Sequence, residues 1–67
     1  MTRFDIGQKV RHKKGGLYKI HEIPNPCFLL EACSEPYYTY EGLTTEGIPT
    51  GRFWLRRQTE MEDGRFV

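Results

Sequence analysis

Gln8-Lys9-Val10-Arg11-His12-Lys13-Lys14-Gly15-Gly16-Leu17-Tyr18-Lys19-Ile20-His21-Glu22-Ile23 reads as two strands joined by a glycine turn. Gly15-Gly16 offers the positive φ angles of a tight hairpin, and β-branched or aromatic residues flank it on both sides. Counting outward from that pair sets Lys14 opposite Leu17, Lys13 opposite Tyr18, His12 opposite Lys19 and Arg11 opposite Ile20. His21 then falls opposite Val10. Val10 and His12 share one face, Lys9 and Arg11 the other. On the returning strand Tyr18 and Ile20 lie on one side, and Leu17, Lys19, His21 and Ile23 on the other. Apolar residues on both sides predict a strand covered twice, as in a small barrel.

The flanking chain extends the pattern. Phe4 and Ile6 alternate inward ahead of the hairpin. Pro24-Asn25-Pro26 stops the second strand, because proline removes ladder donors and fixes φ. Cys27 to Cys33 reads as an apolar, central strand, followed by a turn at Ser34-Glu35-Pro36 and a strand over Tyr37-Tyr38-Thr39-Tyr40-Glu41. Leu43 to Gly51, with its glycines, proline and threonines, is expected to be the longest loop. Arg52-Phe53-Trp54-Leu55-Arg56 is a last strand with Phe53 and Leu55 on one face. Thr59 and Glu62 have capping-box spacing and Gly64 a stop position, so one helical turn is predicted, folding Met61 and Phe66 over an open end. The whole predicts an all-β, five-stranded SH3-like barrel, or failing closure a strongly bent antiparallel sheet with the C-terminal turn packed on it.

A chain of 67 residues makes one domain with a small core. It leaves little room for a deep substrate cleft, and the reading is of a protein that is not an enzyme. Aromatics at 13% offset a hydrophobic fraction of 37% and argue against disorder. No apolar run reaches the roughly 20 residues of a bilayer span, and the N-terminus lacks the apolar stretch of a secretory signal. A cytoplasmic location with reduced cysteines, and no membrane partner, is expected.

Net charge is only +1, but it is blocked. Arg3, Lys9, Arg11, Lys13, Lys14 and Lys19 meet a single acid, Asp5, before Glu22, Glu31, Glu35, Glu41 and Glu46 take over. Arg52, Arg56 and Arg57 follow, then Glu60, Glu62 and Asp63 with Arg65. Adjacent strands of opposite sign can pair across a sheet, and the same blocks could steer a charged partner.

Val10-Arg11-His12-x-Lys14-Gly15-x-Leu17-Tyr18-x-Ile20, with Trp54-Leu55-Arg56 and then Met61 and Glu62, resembles a family of short bacterial and phage proteins, the domain of unknown function number 1653. The first hairpin is its specific part. Val10 stands where that family tends to carry an aromatic, Arg57 where it has proline, and Glu35 to Gly51 is this chain's own. The resemblance implies a small β-barrel in a cytosolic or phage setting. It implies no activity.

Chemistry is sparse. Cys27 and Cys33 would lie about 20 Å apart on one strand, too far for a disulfide. With His12 and His21 they match no recognised zinc spacing, and no metal or cofactor is expected. His12, beside Lys19 in the counted register, would be held neutral. No nucleophile or paired carboxylate is placed to make either histidine a catalytic base. Binding is the better expectation. Tyr37, Tyr38 and Tyr40, with Trp54 between Arg52 and Arg56, are the side-chain types that anchor protein partners. They predict a small accessory or regulatory module acting on an unidentified protein, with an edge strand offering a route to a homodimer. The alternative is a nucleic-acid-binding barrel using Lys9, Arg11, Lys13, Lys14 and Lys19, with Tyr18 for stacking.

Overall fold

The computed structural model describes residues 2–24, 29, 30 and 35–67. Its elements are β1 (Lys9–Arg11), β2 (Leu17–Glu22), β3 (Leu29–Leu30), β4 (Glu35–Leu43), β5 (Pro49–Arg57) and a single helical turn, α1 (Gln58–Met61). Four strands, β1, β2, β4 and β5, form one open antiparallel sheet, and the short β3 pairs with the first residues of β4. Apart from β3, the strand expected between Cys27 and Cys33, both cysteines included, lies outside the described residues.

The hairpin forms, in a different register. Lys9 faces Lys19, Val10 faces Tyr18 and Arg11 faces Leu17. The turn is longer than a glycine pair: His12 N–H donates to the Gly16 carbonyl at 2.8 Å, and Gly15 N–H to the His12 carbonyl at 2.7 Å. Lys13-Lys14-Gly15 thus forms a three-residue loop, with only Gly15, at φ 107°, in the glycine-favoured region. Gly16 is needed for a different reason. A Cβ there would stand 2.7 Å from the Tyr18 hydroxyl. The longer loop puts Val10 and Tyr18 on one face with Ile20, where the counted register had set Val10 against His21.

Leu43 to Gly51 is not a long loop. β4 runs to Leu43 and β5 begins at Pro49, an allowed strand-start position for proline. Between them Thr44 N–H donates to the Ile48 carbonyl, and Gly47 N–H to the Thr44 carbonyl, both at 2.8 Å. Between the pairs Glu41–Phe53 and Leu43–Pro49 the register shifts, and Gly42 alone faces residues 50–52 of β5, which carries the bulge. β4 is the central strand: Ile20 and Trp54 both pair with Tyr40, from β2 and β5 respectively.

The sheet does not close into the expected five-stranded barrel. No ladder joins β1 to β5 among the described residues. The outer edge of β1 is taken instead by the C-terminal residues. Arg11 and Val67 exchange backbone bonds at 2.7 and 2.9 Å, Lys13 N–H donates to the Arg65 carbonyl at 2.7 Å, and His12 bridges to Phe66. α1 turns the chain from β5 across the concave side, so this short tail reaches β1 where a barrel would need β5 itself.

α1 starts at Gln58, so its cap falls two residues before Thr59, the cap expected from the spacing. Its N-cap is Arg57, with no side-chain cap. Glu62 is not part of a capping box because its carboxylate is engaged elsewhere, by Tyr38, Gln58 and the Arg3 N–H. Met61 and Phe66 are buried as expected, and with Phe4, Val10, Ile20, Tyr38 and Tyr40 they make the core. Ile6 does not join it and is 65% exposed. No helix is long and apolar enough to cross a membrane among the described residues.

Candidate functional site

β5 is nine residues long, yet it is the least covered of the strands whose burial is described. Phe53, Trp54 and Leu55 are 53%, 43% and 58% exposed, although they occupy the middle of a strand. The reason is topological. β4 covers one side of β5, and no described strand covers the other.

The ladder fixes which backbone groups face that bare side. Ile20 turns its N–H to Gln8 at 2.9 Å, and its carbonyl receives Gly7 N–H at 2.8 Å. Ile20 and Tyr40 are therefore a non-hydrogen-bonded pair, and Tyr40 directs its own N–H and C=O toward Trp54. Alternation then leaves the N–H and C=O of Phe53 and Leu55 pointing away from β4. Neither makes a backbone hydrogen bond outside the ladder among the described residues. Among the described residues they are positions at which another strand could pair.

Side chains on the two faces of β5 are held differently. On the concave face the Trp54 ring lies nearly parallel to Tyr40, centroids 6.0 Å apart at 22°, and edge-on to Tyr18 at 5.8 Å. It also rests on the Gly42 backbone, where a Cβ would meet its ring at 2.9 Å. Arg56 Nε donates to the Tyr40 hydroxyl at 3.2 Å, and its guanidinium sits 5.7 Å from the Phe66 ring centroid. On the convex face Phe53 packs edge-on against His21, centroids 4.9 Å apart. His21 Nε2 lies 2.8 Å from Glu41 Oε1, and Gly51 N–H donates to Glu41 Oε2 at 3.0 Å. The His21 contact foremost holds the Glu41 carboxyl below its usual range. Burial opposes it, and the Gly51 N–H and the charge of Lys19 add to it.

The residues proposed as protein anchors separate into two groups. Tyr38 and Tyr40 belong to the core, and Tyr37, half-buried, pairs with Arg57 on the opposite face. Trp54 and Arg56 share the face of Tyr40, while Arg52 is exposed and lies where the β4–β5 register shifts, just after Gly51 at φ 78°. The basic set is also divided. Lys9, Arg11 and Lys19 occupy the face away from Tyr18, while Lys13 and Lys14 lie in the hairpin turn. Tyr18 is edge-on to Tyr40, Trp54 and Phe66, so its ring is already enclosed by other rings.

His12 is not beside Lys19, which faces Lys9. Its Nδ1 accepts the Lys14 N–H at 3.1 Å, and its ring packs edge-on to Phe66 at 4.9 Å. Desolvation first, and then Arg56, Lys14, Lys13 and Arg65, depress its pKa and favour the neutral ring. No group of three or more His, Cys, Asp or Glu could hold a metal ion among the described residues.

Sequence reasoning missed the joining of His21, Glu41 and Phe53 and the bare edge beside them. Glu41 and Phe53 become neighbours only through the β4–β5 register, and a bulge between Ile20 and Glu22 brings His21 over to them. Comparison of the chain with protein-family models, with curated proteins and with solved structures finds no match.

Proposed function

We propose that this protein is a non-enzymatic binding module that holds a partner protein by taking one of its extended segments onto the free edge of β5. One observation carries the reading: the outward N–H and C=O groups of Phe53 and Leu55 have no backbone partner among the described residues, and the side chains there are exposed. Strand addition uses such an arrangement, with backbone bonds for affinity and alternate side chains for selectivity. Trp54 and Arg56 supply anchors of the types that dominate protein interfaces, held in place by Tyr40 and Gly42.

The test is Leu55→Pro, which removes an outward N–H without removing a bond to β4. Affinity capture from extract of the native cell is run with the original protein, with Leu55→Pro, and with Lys13→Ala/Lys14→Ala. A partner lost from the proline variant and kept by the lysine variant supports the edge. A partner kept by both variants counts against it.

A second reading, nucleic-acid binding through the hairpin, has one observation in its favour: Lys13, Lys14, Arg56 and Arg65 gather around His12. The separation of Lys9, Arg11 and Lys19 from Tyr18 weighs against it. Fluorescence anisotropy of a single-stranded oligonucleotide at low salt decides, since phosphate contacts are strongest there. Binding that Lys13→Ala/Lys14→Ala abolishes would favour this reading over the first.

A further inference from the structure

The charges on β5 go further than its shape. Over Pro49–Arg57 the strand carries Arg52, Arg56 and Arg57 and no acid. Arg56 and Arg57 share one carboxylate, Glu60, at 3.6 and 3.1 Å, and Arg57 approaches Glu35 at 3.9 Å. Arg52 has no ion pair among the described residues. Period-two spacing from Trp54 sets it with Trp54 and Arg56, and it is about 13 Å along the strand from Arg56.

A second copy fits this edge poorly. Symmetric antiparallel pairing about Trp54 sets Arg52 directly against Arg56 of the other chain, twice. Like charges in directly opposed positions are destabilising. Other registers still bring two acid-free arginine strands side by side. The same arginines that repel a copy favour a carboxylate-bearing guest, because guanidinium binds carboxylate through paired N–H donors.

Resting on the strand-addition reading above, we infer that the guest is an acidic, extended segment of another protein. Its residues opposite Arg52 and Arg56 carry carboxylates. Its residues opposite Phe53 and Leu55 are apolar, because those two side chains stand exposed on the convex face. The residue between, opposite Trp54, meets the indole. The motif is therefore acid–apolar–any–apolar–acid, with its two carboxylates four residues apart.

A display library of random 12-residue peptides selected on the intact protein tests this. Enriched peptides are then measured one at a time by fluorescence anisotropy. The original protein is compared with Leu55→Pro, Phe53→Pro and Arg52→Glu, each first checked for cooperative thermal unfolding. Arg52 is chosen over Arg56 because Arg56 also braces Tyr40 and Phe66. The expected result is peptides with two carboxylates at that spacing, bound at least about tenfold more weakly by Arg52→Glu. Changing the facing peptide acid to lysine should restore binding to that variant.

Three results overturn the assignment, and they are distinguishable. Peptides that need the β5 edge but lack acids, or ignore Arg52→Glu, sink the acidic motif and leave strand addition standing. Peptides bound equally well by both proline variants, or no enrichment at all, sink strand addition itself. A dimer in analytical ultracentrifugation that Leu55→Pro dissolves puts a second copy on the edge.

Discussion

The Tyr38 hydroxyl donates to Glu62 Oε2 at 2.5 Å, tying the central strand to the residue that follows α1. Burial first, and then this bond, push the Tyr38 pKa to about 12. Burial of Glu62 works to raise its pKa, but the bonds from Tyr38, the Arg3 N–H and Gln58 outweigh it, and the carboxyl lies below its ordinary range. The two shifts act at opposite ends of the pH scale.

Glu62 is depressed in the folded state, so its contribution is complete above the unfolded value of 4.5 and is lost as pH falls through the lower folded value. Tyr38 is raised, so its contribution is complete below 10 and disappears between pH 10 and about 12. Thermal melts of Tyr38→Phe should lack that alkaline loss, and at pH 7 the variant should be less stable by about 1–2 kcal/mol, from the unmade bond. Glu62→Gln should flatten the acid limb. An unchanged alkaline limb in Tyr38→Phe would contradict the assignment.

Glu41 is a second carboxylate held below its usual range, by its hydrogen bond to His21 first. His21→Ala leaves the Glu41 carboxylate with the Gly51 N–H alone. The urea midpoint of that variant should fall at pH 7, and Glu41→Gln should recover part of the loss in the His21→Ala background. Equal losses adding without recovery would mean the pair does not interact.

Gly42→Ala drives a methyl group into the Trp54 ring, since the nearest ring carbon is 2.9 Å from the new Cβ. The indole must tip away from Tyr40. Trp54 is the chain's sole tryptophan, so a red-shifted fluorescence maximum reports the move directly. If emission is unchanged, Trp54 is not seated on Gly42. The overpacking should cost about 1–3 kcal/mol.

Phe66 and Val67 are adjacent and should behave oppositely. Phe66 is fully buried among Tyr18, Tyr40 and His12, and Phe66→Ala should cost about 3–5 kcal/mol. A domain of this size has a total stability of that order, so the variant should be largely unfolded. Val67 is 67% exposed and meets β1 through its backbone, so Val67→Ala should shift the melting temperature little. Two equally harmful variants would show that the side chain of Val67 packs after all.

Alternation made part of this legible from residues alone. Period-two spacing put Trp54 and Arg56 on one face and Phe53 on the other, and the hairpin at Gly15 was evident. Its register was not, because Gly16 is demanded by the Tyr18 ring above it and not by its own φ. Leu43 to Gly51 had the composition of a loop, since glycine and proline serve equally at a bulge and at a strand start. Tyr38 and Tyr40 looked like surface anchors until Ile20 paired with Tyr40 and turned that face inward. Barrel closure failed on three residues, Arg65 to Val67, whose destination depends on the direction in which α1 leaves β5.

That C-terminal tail has a consequence for assembly. A fibril grows only when every subunit can receive a neighbour on one flank and offer another flank to the next. Here residues 65–67 lie along the β1 flank of the described sheet. A neighbour paired at β5 would therefore find the backbone of β1 already engaged, with only the short stretch 65–67 beyond it.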